Sequence, residues 1–177
     1  RVKVVSVSDI EKGKTGTETP AREPVASKYL PGVEGTTKGT IIHEVLRGRD
    51  AATVLKEYGA YSEDHVRHCN EIRDRFLSSD LMKRAKRSYC EVPFVITREG
   101  QPVTGKIDRL LERDDGSWAV IDYKSEPVSP EEYAVVAEEY RVSMAVYGEA
   151  ARQLVPEKEV AGYLYFTETG EFLPVIS

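Results

Sequence analysis

The chain has 177 residues, 40% of them hydrophobic and 31% charged, enough for one domain with a real core and no need of disulfide or metal staples. Its 25 lysines and arginines against 30 aspartates and glutamates give a net charge of −5, so it lacks the basic footprint of a non-specific nucleic-acid coat. An enzyme acting on nucleic acid is still allowed, because metal-binding carboxylates add negative charge and a local basic patch can dock phosphates. A domain tethered to a larger machine also needs little affinity of its own.

No apolar run approaches the roughly 18 residues of a membrane span, and no signal peptide is visible. The two cysteines, Cys69 and Cys90, match no CxxC pattern and read as reduced cytoplasmic thiols. The chain opens at Arg1 directly into the strand-like VKVVSVS, which points to a piece of a larger protein.

Residues 1–36 read as an extended arm or linker. The stretch EKGKTGTETPAREPVASKYLPGVEGTTKG is rich in Gly, Pro, Thr and charge and has little periodicity. A single domain is expected over 37–177. A helix begins at Gly39 with Thr40 as N-cap; Ile41, Val45, Leu46 and Leu55 fall at helical spacing, with a break at Gly48. A second helix is expected from Ser62 to Phe76, with Glu63 and Asp64 in its first turn. Its His65 and His68 read as ordinary surface residues. The basic run Lys83, Arg84, Lys86 and Arg87 is either a solvated face or a track for DNA phosphates.

Three strands follow, over 88–97, 102–113 and 117–125, the last two joined by the turn Asp114-Asp115-Gly116. A long helix from Ser129 to Leu154 opens with Pro130, Glu131 and Glu132, which suit a first turn. Strands over 159–167 and 171–176 close the chain. The order α-α-β-β-β-α-β-β describes an α+β domain around a mixed central sheet flanked by helices.

The chemistry gathers in GKIDRL (105–110) and IDYKS (121–125). Strand alternation puts Asp122 and Lys124 on one face. A three-residue loop with Gly116 in the left-handed region pairs Arg113 with Ser117, so that Asp108 faces Asp122 and Lys106 faces Lys124. A two-residue Asp115-Gly116 loop would instead set Asp108 opposite Tyr123. Two facing carboxylates repel unless a cation joins them. A hard divalent ion with oxygen ligands resolves the repulsion and activates a bound water, while Lys124 could position or deprotonate that water or stabilise the charged transition state. Taken alone, D…DxK also fits a surface hairpin with scattered charges. However, Asp122 and Lys124 follow AVI, a run fit for a buried strand, where an unpaired charge is costly.

In five ordered blocks the sequence resembles the RecB-like branch of the PD-(D/E)XK nucleases, and is most similar to the C-terminal nuclease domains of AddA- and RecB-type helicases. The blocks are GTIIHEVL with His43, YCEVPF with Glu91, GKIDRL with Asp108, IDYKS with Asp122 and Lys124, and YRVSMAVYGEA with Tyr147. The resemblance implies a restriction-endonuclease-like core with Asp108, Asp122 and Lys124 as catalytic residues. It implies a Mg²⁺ site, open to Mn²⁺, made by His43, Asp108, Asp122 and the Tyr123 backbone carbonyl. Glu91, Tyr147 and Lys106 would support it. It also implies a DNA substrate, an ATP-dependent helicase portion in the same polypeptide, a second helicase-nuclease subunit, and end processing in recombinational repair in a bacterial cytoplasm, at the nucleoid.

One block departs from the pattern: the family's glutamine position holds Ser143. Singly, His43 would read as a structural histidine, Glu91 as a solvent-facing strand residue, and Tyr147 equally as core or DNA-facing. Two alternatives follow: a nuclease fold that only binds DNA or a partner, and a stand-alone nuclease outside any helicase.

Overall fold

A computed structural model describes residues 3–13, 22 and 24–176. The elements are β1 (Val5–Ser6), α1 (Val7–Gly13), α2 (Gly35–Leu46), α3 (Ala51–Glu57), α4 (Glu63–Leu77), α5 (Asp80–Lys83), β2 (Ala85–Arg98), β3 (Gln101–Arg113) and β4 (Trp118–Lys124). A 3₁₀ turn at Pro130–Glu132 leads to α6 (Tyr133–Glu139), α7 (Arg141–Leu154), β5 (Val160–Phe166) and β6 (Glu171–Ile176). This is the expected mixed α+β architecture: six strands in one sheet, with helices on both faces.

Alternation along the strands builds a core on each face. Leu110, Val120, Leu164 and Phe166 pack with Val136, Met144 and Val146 of α6 and α7. Leu111, Ala119, Ile121 and Tyr165 pack with Ile41, Val45, Ile72 and Phe76 of α2 and α4. No helix among the described residues is long and apolar enough to cross a membrane.

Several element boundaries differ from the sequence expectation. Helix α2 starts at Gly35 rather than Gly39, because the Glu34 carboxylate accepts the Thr36 and Thr37 N–H groups at 3.2 Å. Glutamate is not a favoured N-cap type, so the start carries no signal; Thr40 instead lies inside the helix with its hydroxyl on the Thr36 carbonyl. The expected break falls at Gly48 (φ 108), Asp50 caps α3, and Ser62 caps α4 as expected. The helix expected over 129–154 is interrupted at Tyr140, where φ is −96 and ψ 4, with neither Pro nor Gly to announce it.

The region before α2 contains folded pieces, although residues 14–21 of it lie outside the described residues. Strand β1 pairs with β3, and Tyr29 and Leu30 are buried. The Leu30 N–H donates to His68 Nδ1 at 3.2 Å, and His65 Nδ1 lies 2.7 Å from the Ala60 carbonyl oxygen. Both histidines therefore tie down neighbouring backbone instead of simply facing solvent. A Tyr-Leu doublet among Gly and Pro has no period, which is why composition hid it.

The sheet path runs β1-β3-β4-β5-β6, with β2 also paired to β3. Strand β2 follows β3 along its whole length, so β1 and β4 must share the other edge of β3. Strand β4 takes the part from Arg109 to Glu112, and β1 takes Val103 and Thr104. Between them, at Ile107 and Asp108, the sheet forks.

Candidate active site

The Asp114-Asp115-Gly116 turn sets the register as expected. Gly116 has φ 82, the Arg113 N–H donates to the Ser117 carbonyl at 2.8 Å, and the ladder reaches Arg109 opposite Ile121. One further step places Asp108 opposite Asp122. There the ladder stops, because the Tyr123 N–H donates to Asp108 Oδ2 at 2.9 Å in place of a β3 carbonyl. On the other side of β3, Cys90 pairs with Arg109 and Val92 with Ile107, so Glu91 stands opposite Asp108. Three carboxylates thus lie in one row across β2, β3 and β4.

Glu91 holds an unusual backbone. Its φ is 51 in the middle of a long strand, a conformation that costs a non-glycine residue about 1–2 kcal/mol. The distortion occurs where its carboxylate joins the site. His43 reaches the row from α2, on the opposite helical layer, through the fork: its Nδ1 lies 3.4 Å from Asp108 Oδ1 and its ring packs edge-on against Tyr123. Close approach of α2 depends on Gly39, where a Cβ would sit 3.1 Å from Ser125 Oγ.

The electrostatics follow from burial and neighbours. Burial and the nearby Asp108 charge push the Asp122 carboxyl up to about 7 in spite of Lys124. Burial would also raise Asp108, but His43 and the Tyr123 N–H outweigh it and hold that carboxyl below its ordinary value. For His43, burial disfavours the charged ring, while contact with Asp108 more than compensates and raises its pKa. Lys124 Nζ lies 2.9 Å from Asp122 Oδ2, close enough for an ion pair but not aligned as a hydrogen bond, so Oδ2 is buried without a hydrogen-bond partner. Asp122 also raises the pKa of the buried lysine against the effect of burial.

His43, Glu91 and Asp108 offer ligand atoms within 4.8 Å of one another. This carboxylate-rich set with one imidazole, beside an orphaned carboxylate oxygen, fits a hard divalent cation. The grouping differs from the expected set of His43, Asp108, Asp122 and the Tyr123 carbonyl: Glu91 stands among the donors, and Asp122 leans on Lys124.

The model of the PD-(D/E)XK nuclease superfamily matches residues 28–173. The chain belongs to this superfamily. Among curated proteins it is similar to the AddA-type ATP-dependent helicase/nuclease of Alkaliphilus oremlandii, 27% identical over 94% of this chain and 17% of that protein. The corresponding helicase/nuclease of Lysinibacillus sphaericus is 28% identical over 74% of this chain and 13% of its own length. The chain therefore spans less than a fifth of these relatives. A solved structure titled as a putative exonuclease from Eubacterium rectale shares the fold, with a TM-score of 0.55 at 15% identity, covering 98% of this chain and 72% of that one.

Other residues singled out by the superfamily pattern fall at different distances from the row. Tyr147 on α7 packs edge-on against Phe94, and burial together with the site carboxylates raises its hydroxyl pKa. Ser143, in the family's glutamine position, is buried. Lys106 does not meet Lys124. Beyond the fork β3 turns to β1, and Lys106 Nζ lies 3.6 Å from Glu91 Oε2, largely exposed. Lys83, Arg84, Lys86 and Arg87 gather at the far end of the β3–β4 hairpin, roughly 17 Å from the row at about 3.4 Å per residue. Two of the four are engaged there, Arg84 with Asp114 at 3.0 Å and Arg87 with Glu112 at 3.3 Å.

Two residues had no signal in the sequence. Arg109, next to Asp108, is buried; it donates to the Tyr123 and Ser88 hydroxyls at 2.9 Å each and to the Leu46 carbonyl, tying α2, β2 and β4 around the fork. The other is Tyr140, whose ring meets Lys124.

Proposed function

We propose that the chain is a divalent-metal-dependent deoxyribonuclease domain that hydrolyses phosphodiester bonds at the Glu91–Asp108–Asp122 row. The observation that carries this reading is the row itself. Three carboxylates on adjacent strands, with Asp122 Oδ2 orphaned in the interior, repel one another in the absence of a cation.

His43, Glu91, Asp108 and Asp122 would hold the ion. The Tyr123 carbonyl would join them, since the N–H and C=O of an extended residue point to one edge and its N–H already faces the fork. A bound Mg²⁺, or Mn²⁺ in its place, supplies Lewis acidity toward the phosphate and lowers the pKa of a coordinated water. Lys124 places a fixed positive charge beside the carboxylate row, where negative charge develops on the phosphate. Tyr147 shields the row on the α7 side, next to Phe94.

The names of the relatives support a larger setting. The chain would serve as the nuclease part of an ATP-dependent helicase/nuclease that processes DNA ends in the bacterial cytoplasm, at the nucleoid, with a second subunit beside it. Its acidic balance accords with DNA being delivered by the rest of such a protein.

Cleavage of linear duplex and single-stranded DNA tests the reading. Activity should require Mg²⁺ or Mn²⁺, stop with EDTA and vanish in Asp122→Ala. DNA binding without cleavage under either metal would make the chain a binding module. The buried Ser143 bears on that second reading, but all five residues of the row and its flanks are present.

A further inference from the structure

We infer that Tyr140 is a positioning residue for Lys124, holding its ammonium group over the face of the phenol ring; this rests on the nuclease reading above. Lys124 Nζ lies 3.5 Å from the Tyr140 ring centroid, well within cation–π range, and 2.9 Å from Asp122 Oδ2. The side chain is only 15% exposed. Because the Asp122 contact is not aligned as a hydrogen bond, the carboxylate alone does not fix the direction of the ammonium. The ring supplies the second wall.

The local backbone serves this contact. The helical run from Tyr133 to Leu154 breaks at Tyr140, where the residue leaves helical geometry between α6 and α7. That break lets the ring reach the end of β4. One turn further on, Ser143 is too short to share the task and is buried in the α7 layer. A lysine has four rotatable bonds, and losing one wall releases rotamers that point the charge away from the row.

The test uses the 177-residue chain with Mg²⁺ and linear DNA. Tyr140→Leu should lower kcat by about 3- to 30-fold, the span of cation–π energies from exposed to desolvated sites, while KM and Mn²⁺ affinity stay as in the wild type. Tyr140→Phe, which keeps the ring, should remain within about twofold of wild type. Wild-type rates in Tyr140→Leu would overturn the inference, as would equal damage in Tyr140→Phe, which would assign the effect to the hydroxyl.

A readout independent of cleavage is the ring-current shift. In lysine-labelled protein, the Lys124 methylene next to Nζ should resonate upfield of the other lysines, vanish in Lys124→Arg, and move to the common position in Tyr140→Leu. An unshifted Lys124 in the wild type would also overturn the inference. A wild type that shows the shift but never cuts DNA would instead defeat the nuclease reading.

Discussion

Asp108 takes the hydrogen bond that would otherwise continue the sheet: its Oδ2 accepts the Tyr123 N–H at 2.9 Å, and β3 and β4 separate from that point. One carboxylate thus opens the fork and faces the metal donors. The two roles separate by substitution. Asp108→Asn keeps an acceptor for Tyr123, so we expect near wild-type stability in EDTA with Mn²⁺ affinity lost. Asp108→Ala also strands the N–H and should cost about 1–3 kcal/mol more. Urea unfolding and calorimetric metal titration check both; equal stability of the two variants would contradict this account of the fork.

Glu91 should carry a backbone cost that only its carboxylate justifies. Its φ of 51 suits glycine. Glu91→Gly is expected to be more stable than Glu91→Ala by about 1 kcal/mol in metal-free buffer, and both should bind Mn²⁺ more weakly than wild type. Thermal unfolding in EDTA decides it; alanine matching glycine would mean that the strand is not strained there.

Stability of the metal-free chain should depend on pH in a defined direction. Asp122 is raised from an ordinary value of 3.8 to about 7, and His43 is raised above 6.5. Raised groups hold their protons more tightly when folded. Their contribution is complete below the unfolded pKa and is lost as pH rises through the folded one. Asp108, lowered, acts the opposite way but only near and below 3.8. Urea midpoints in EDTA should therefore fall between about pH 4 and pH 8, and Asp122→Asn should flatten the decline. A profile that rises across this window would refute the assignment.

Arg109 should be structural in origin and catalytic only in consequence. Arg109→Ala removes the donor to the Tyr123 and Ser88 hydroxyls and to the Leu46 carbonyl. Leaving several buried acceptors unpaired costs about 1–3 kcal/mol each at most, so a drop of roughly 3 kcal/mol is expected in urea unfolding. A loss below about 1 kcal/mol would show that the latch is replaced by water.

The basic cluster should matter little through its arginines. Arg84 and Arg87 are paired with Asp114 and Glu112. Single alanine variants should leave the salt dependence of DNA binding unchanged. A slope reduced by about 0.9 for either one would reveal a phosphate contact.

Much of this protein is written locally. Strand alternation sets Asp122 and Lys124 on one face, and the Asp-Asp-Gly turn fixes the register that brings Asp108 opposite Asp122, because glycine alone enters the left-handed region freely. The Ser62 cap and the Gly48 break were legible for the same reason: each depends on residues a few positions apart. The ligand grouping was not. Whether Glu91 or Asp122 stands with His43 and Asp108 depends on a distorted strand and on a helix from the opposite layer, contacts between residues far apart in sequence. The same holds for Tyr140 on Lys124, for Lys106 turning to Glu91, and for Tyr29 and Leu30 inside the core. Local pattern determined which side chains share a strand face, while long-range packing alone decided which of them meet, because a side chain's partner across layers is set by how helices seat on the sheet.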